Sequence, residues 1–388
     1  MTLDIPDELI DWRAKGFWLP SGEVTTRDFA AAGHTLFDGS FTWPLLVVRD
    51  SAVRANIATM AAYADRHGFS FAPHAKTTMA PTLLDAQLAA GAWAMTVATA
   101  SQALVLRRLG VPRVLIANEV LDATALRWLA AESARGWEVF LQVDSVAGVE
   151  AVAAAGGLPV LVELGHAGGR TGARTVEEVL TVARAAAAAP GVSLVGVTGY
   201  EGALPDAAAV DEFLATLVAS ARAMADLLPA EVLVSAGGSA WFDRVIKAIE
   251  GQWLDGHQVR AVLRSGASVT HDDGFYRERT PFNREPGEGG LASALEMWAQ
   301  VLSTPEPGLA IVGMGKRDAP FDEGLPVAEG FTVTKLNDHH TYLSGGAPAV
   351  GDLVRFGLSH PCTAFDKWRF IPVADDDDVV VDVLHTYF

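Results

Sequence analysis

A chain of 388 residues, half of them hydrophobic and 20% charged, is long enough for more than one core and too apolar for wholesale disorder. A net charge of -18 with no basic stripe repels polyanions, so nucleic acid and anionic membrane are excluded as expected partners. The single cysteine, Cys362, rules out an intrachain disulfide and suits a reducing compartment.

The amino-terminal MTLDIPDELIDW is acidic where a secretory leader would be basic and then apolar. No apolar run approaches membrane-spanning length, and a cytoplasmic protein is expected. Residues 1–43 lack sustained periodicity and read as an arm packed on a later domain. From residue 44 short apolar runs alternate with Ala- and Leu-rich amphipathic segments: LLVV (45–48), FSFA (69–72), AMTVA (94–98), RVLIA (113–117), EVFLQV (138–143), PVLVEL (159–164), SLVGVT (193–198), EVLVS (231–235) and VRAVL (259–263). Such alternation predicts a parallel sheet with crossover helices. A closed barrel takes eight strands, so one of these nine runs must lie outside it. After about residue 276 the rhythm stops, and MWAQVLS, LAIVGMG, FTVTKL, DLVRFGL and DVVVDVLHTYF read as strands separated by Gly/Pro turns. The expected α/β architecture is a TIM-type (β/α)8 barrel over 44–276 followed by an antiparallel β domain over 277–388.

Polar residues gather after the apolar runs, the face where barrels of this kind carry chemistry. Lys76 in FAPHAKTTMAP follows a short apolar strand, where apolar surroundings would favour its neutral, nucleophilic amine. Ser235 to Ala240, SAGGSA, joins a strand to a helix, and its glycines let backbone N–H groups approach an anion such as phosphate; SGASVT after Leu263 would supply a second half. Neither a Walker loop nor a Gly-x-Gly-x-x-Gly fingerprint is present, so a nucleotide is not indicated. Arg170, in the Gly-rich VELGHAGGRTG, can hold a phenolate or carboxylate. Thr99 and Asp144 read as helix caps or turn residues. If RFGLSHPCT is extended, His360 and Cys362 project from one face, as a nitrogen and sulfur pair for zinc or as a buried thiol packed beside a histidine. His339 and His340 are further candidates nearby.

Together PHAKT, GRTG, GYEG, the Gly-Gly-Ser turn and VGDLVRFGLSHPCTAF resemble the fold-type III pyridoxal-phosphate enzymes, over about residues 40–370. Within them the chain is similar to the D-serine dehydratase and D-threonine aldolase branch of the alanine-racemase-like family. The resemblance implies that LLVV is the run outside the barrel and that Lys76 is the Schiff-base lysine. It also implies that Arg170 bonds the cofactor's phenolic oxygen, that Tyr200 lies near the pyridine ring, and that Gly237, Gly238, Ser239, Gly266 and Ala267 hold the phosphate. His360 and Cys362 would hold zinc, although another divalent metal could take its place. The family usually has Glu-Glu-His-Gly where this chain has Asn337, Asp338, His339 and His340, so His339 is carried over only weakly.

The activity implied is elimination of water, then ammonia, from a D-3-hydroxy amino acid such as D-serine, by a cytoplasmic homodimer. Retro-aldol cleavage to glycine and an aldehyde is the alternative within the same fold. A metal-independent racemase and a non-catalytic cofactor carrier also stay open.

Overall fold

Runs of Val, Leu, Ile and Ala that are buried from end to end must be covered on both faces, and here they build two different sheets. The computed structural model describes residues 2–388 and divides into two units, 2–4 with 61–76 and 87–266, and 5–60 with 77–86 and 267–388.

The first unit is a parallel eight-stranded barrel. Its strands are Ser70–Phe71, Met95–Val97, Arg113–Ile116, Glu138–Val143, Pro159–Leu164, Ser193–Gly199, Glu231–Ala236 and Gln258–Leu263. These match the eight runs from FSFA onward to within a residue or two. The eighth strand returns to the first through Val262 opposite Ser70 and Leu263 opposite Phe71. Pro73 has no N–H for the ladder, so the first strand stops early. Closure onto the second strand falls to a bridge between His74 and Thr96 and to bonds from Trp93 N to Phe71 O (2.7 Å) and Thr96 N to Pro73 O (2.9 Å). Ala72, Leu115, Leu161, Leu233 and Val262 fill the barrel as one apolar cluster.

Five helices begin on the same device. Thr99, Asp122, Ser145, Thr175 and Asp206 each accept a hydrogen bond from the N–H three residues on, contributing about 1 kcal/mol apiece. Thr99 is therefore the cap that its position suggested. The helix after the seventh strand, Phe242–Ile249, has no side-chain cap.

The second unit is built on a mixed, largely antiparallel sheet. Leu45–Arg49, the run left out of the barrel, pairs antiparallel with Leu295–Glu306 and parallel with Phe370–Ala374. Its four apolar residues are fully buried for a specific reason. Leu46 and Val48 join the core with Met297, Phe356 and Trp368, whereas Leu45 and Val47 meet Ile10, Phe17, Phe29, Leu36 and Phe41 from the amino-terminal arm. The arm thus covers the second face of the sheet. Residues 44–60 and 267–276, expected with the barrel, sit in this unit because the partners of Leu45–Arg49 are here. Among the described residues no helix is long and apolar enough to cross a membrane.

Candidate active site

Lys76 lies on a single turn, Ala75–Thr77, just after the first barrel strand. Two residues earlier, burial and then the charges of Lys76, Arg264 and Arg170 hold the His74 imidazole well below its ordinary pKa, so the ring is neutral. Its Nδ1 makes no hydrogen bond. Gly266 permits this arrangement, since a Cβ there would fall 2.6 Å from both the Cβ and the carbonyl oxygen of His74. Arg264, 9% exposed, donates from Nη2 to Gly199 O at 2.6 Å, and its buried Nε has no partner. Burial pulls its pKa down, against the opposing charges of Glu201 and Glu163.

The arginine loop is pinned from within. Arg174 donates to the carbonyls of Gly169, Arg170, Thr171 and Gly172, and Asp144 accepts from Gly172 N at 3.0 Å. So held, the Arg170 guanidinium lies 4.5 Å from the centre of the Tyr200 ring, a cation–π contact. Asp144 and Arg174 are positioning residues. Asp144, expected as a cap or turn residue, instead braces a loop 28 residues away, and the cap of the following helix is Ser145.

The Gly-Gly turn differs from expectation. Gly237 has φ +101, a conformation that favours glycine. Yet the N–H groups of Gly237 and Gly238 donate to the fully buried Glu201 carboxylate at 3.1 and 2.6 Å, and Ser265 Oγ donates to their carbonyls. In this arrangement those two N–H groups hold a carboxylate, which leaves Ser239, Gly266 and Ala267 of the expected phosphate set.

Glu119, after the third strand, and Glu163, in the fifth, face each other as carboxyl groups. Both Glu119 oxygens and Glu163 Oε2 are buried, with no partner but each other. Burial, then the charge of Glu163 and a proton shared with it, push the Glu119 pKa up to about 8. The folded state therefore keeps a proton that the unfolded chain releases above the ordinary value of 4.5, and stability falls as pH rises through that interval. Glu119→Gln should be more stable than the parent, by little at pH 5 and by on the order of 2 kcal/mol at pH 8 after discounting for solvent. Urea midpoints at both pH values check this, and an equal gain at both would refute the shared proton.

Buried polar groups are almost always paired, so the partnerless atoms of His74 and Arg264 at barrel strand ends mark where a ligand completes the contacts. The cations Lys76, Arg170 and Arg264, with a cradle closed to any Cβ at Gly266, fit a phosphorylated aldehyde cofactor.

In the second unit the extended backbone ends at Gly357. His360 has φ 72 and ψ 98, and Pro361–Thr363 forms a 3-10 turn, so strand alternation does not bring His360 and Cys362 together. The turn does. Burial lowers the His360 pKa, but a hydrogen bond and charge from Cys362, followed by the carboxylate of Asp322, outweigh it and raise the value to about 9. His360 Nδ1 lies 2.7 Å from Asp322 Oδ2, Thr363 Oγ1 donates to Asp322 Oδ1 at 2.9 Å, and Thr77 Oγ1 lies 3.8 Å from Cys362 Sγ. An imidazole and a thiol held on one turn fit a soft divalent metal such as zinc. Among the described residues no group of three or more His, Cys, Asp or Glu side chains is placed to hold a metal. His339, largely exposed and 4.0 Å from Asp318, and His340 belong to a hairpin turn and do not join the pair.

A family model described as the alanine racemase N-terminal domain matches residues 48–253, and one described as a putative serine dehydratase domain matches residues 294–374. A D-threonine aldolase from Arthrobacter sp is 28% identical over 361 residues, covering 88% of this chain and 90% of its own. The crystal structure of D-threonine aldolase from Filomicrobium marinum superposes with a TM-score of 0.77 at 25% identity, covering 89% of this chain and 95% of that one. D-threo-3-hydroxyaspartate dehydratase from Delftia sp. HT23 gives a TM-score of 0.71 at 25% identity, over 89% and 97%.

Proposed function

This chain belongs to the alanine-racemase-like family of fold-type III pyridoxal-phosphate enzymes, and from that premise we propose that it is a lyase removing water, then ammonia, from a D-3-hydroxy amino acid such as D-serine. One observation carries the choice of elimination: His360 and Cys362 share a turn inside the segment that matches a serine dehydratase domain. When bound, pyridoxal phosphate supplies an electron sink for Cα, and zinc supplies a Lewis acid for the departing hydroxyl. The protein's own groups do the rest. Lys76 Nζ anchors the cofactor and then takes the Cα proton. Arg170, braced on the Tyr200 ring, binds the phenolic oxygen, and Arg264 adds positive charge at the end of the eighth strand. Ser239, Gly266 and Ala267 receive the phosphate, while Gly237 and Gly238 shape the loop through Glu201. His360 and Cys362 hold the metal. The protein would work in the cytoplasm as a homodimer.

Retro-aldol cleavage is the second reading, favoured by the likeness to D-threonine aldolases in sequence and in structure. The purified protein is given D-serine, D-threonine and D-threo-3-hydroxyaspartate with and without a chelator. Ammonia and a 2-oxo acid, lost with the chelator, are the expected result. Glycine and an aldehyde without ammonia would replace elimination by cleavage, and chelator-insensitive racemisation would overturn both.

A further inference from the structure

His360 has two ring nitrogens, and only one can face a metal shared with Cys362; which one is decided by what holds the other. Nδ1 is taken by Asp322 Oδ2 at 2.7 Å. The carboxylate is itself fixed, because its other oxygen accepts from Thr363 Oγ1 at 2.9 Å, one residue beyond Cys362. The loop bearing Asp322 is fixed in turn. Ser359, 4% exposed, donates from Oγ to Glu323 O at 2.6 Å and accepts from Phe275 N at 3.1 Å. Gly324, at φ +117, fits beside it, since a Cβ there would lie 3.0 Å from Ser359 Oγ. Residues 359–363 therefore hold both the imidazole and the carboxylate that orients it.

We propose that Asp322 is a positioning residue which, by accepting from His360 Nδ1–H and being clamped by Thr363, leaves Nε2 as the atom that meets a divalent metal with Cys362 Sγ. The carboxylate is not a ligand. It sets the tautomer and the ring orientation and makes the ligating nitrogen more basic. As a surface ion pair it adds little to folding, with the Asp322 side chain 42% exposed, so its effect should appear in metal affinity and not in stability. This inference rests on the proposed metal pair, and the experiment separates the two.

Full-length parent, Asp322→Ala, Asp322→Asn, His360→Ala and Cys362→Ala are stripped with a chelator and titrated with zinc ion against a chromogenic zinc chelator. Thermal melting of each metal-free protein is recorded alongside. Asp322→Ala should bind zinc about 10–100-fold more weakly than the parent with an unchanged metal-free melting temperature. Asp322→Asn, which keeps an acceptor oxygen for Nδ1–H, should recover part of that loss. Parental affinity in Asp322→Ala, with His360→Ala and Cys362→Ala both deficient, overturns the positioning role and leaves the metal pair standing. Parental affinity in His360→Ala and Cys362→Ala overturns the metal pair and the inference together.

Discussion

Lys76→Ala should abolish turnover, with kcat falling by at least about 10³-fold, equivalent to roughly 4 kcal/mol of transition-state stabilisation. The expectation rests on position and neighbours together. Lys76 follows the first barrel strand on a one-turn helix, and His74, two residues before it, is kept neutral by burial and by the charges of Lys76, Arg264 and Arg170. A neutral imidazole among three cations signals a pocket for an anionic group. Covalent anchoring and proton transfer would both pass through the one amine, so its loss cannot be shared out among neighbours as loss of one hydrogen bond could. A second readout needs no turnover. Borohydride treatment of the cofactor-loaded protein, followed by peptide mass measurement, should tag Lys76 in the parent and no residue in the variant. Tagging at another lysine, or activity within about tenfold of the parent, would move the anchor elsewhere.

The barrel was legible because each strand is short and apolar, and five of the eight are followed by a residue that caps the next helix. Periodicity reports burial, and burial on two faces is what a covered strand needs. It does not report what does the covering. LLVV at 45–48 looks like any other run, yet its alternate residues meet two different cores, and its strand partners lie some 250 to 330 residues downstream. FIPVA, Phe370–Ala374, is not among the runs read as strands, and it carries a proline, which argues against an interior strand; here the pairing to Leu45–Arg49 begins at Val373, just past Pro372.

Among the candidate site residues, Lys76, Arg170 and the His360 and Cys362 pair stand in local motifs. Their supports do not. Asp322 is 38 residues from His360, and Glu119 meets Glu163 only because the third and fifth strands of the barrel, one strand apart, bring their ends together. The expectation of an extended RFGLSHPCT fails after Gly357, where the positive φ of His360 and the 3-10 turn that follows it are not announced by the residue types.

That backbone angle is held by Asp272, and Asp272→Ala should destabilise the protein by on the order of 4 kcal/mol, read as a shift in the urea midpoint. Asp272 is 1% exposed, and its carboxylate accepts from four backbone N–H groups. Three belong to Gly274, Tyr276 and Arg277, at 3.0, 2.9 and 3.1 Å, at the start of the short helix Phe275–Arg279, whose own N-cap residue, Gly274, has no side chain to offer. The fourth is His360 N at 3.2 Å, 88 residues away. One side chain thus ties the segment after the eighth strand to the turn that carries the imidazole and the thiol. A buried donor left without an acceptor costs about 1–3 kcal/mol, and alanine would strand four, some of which would regain water. His360 at positive φ carries a strain of about 1–3 kcal/mol in the parent, and its relaxation in the variant would offset part of that loss. Asp272→Asn keeps an acceptor oxygen and should lose only about half as much. A midpoint for Asp272→Ala within about 1 kcal/mol of the parent would show that these N–H groups find other acceptors, and that the turn carrying His360 is shaped by something other than this carboxylate.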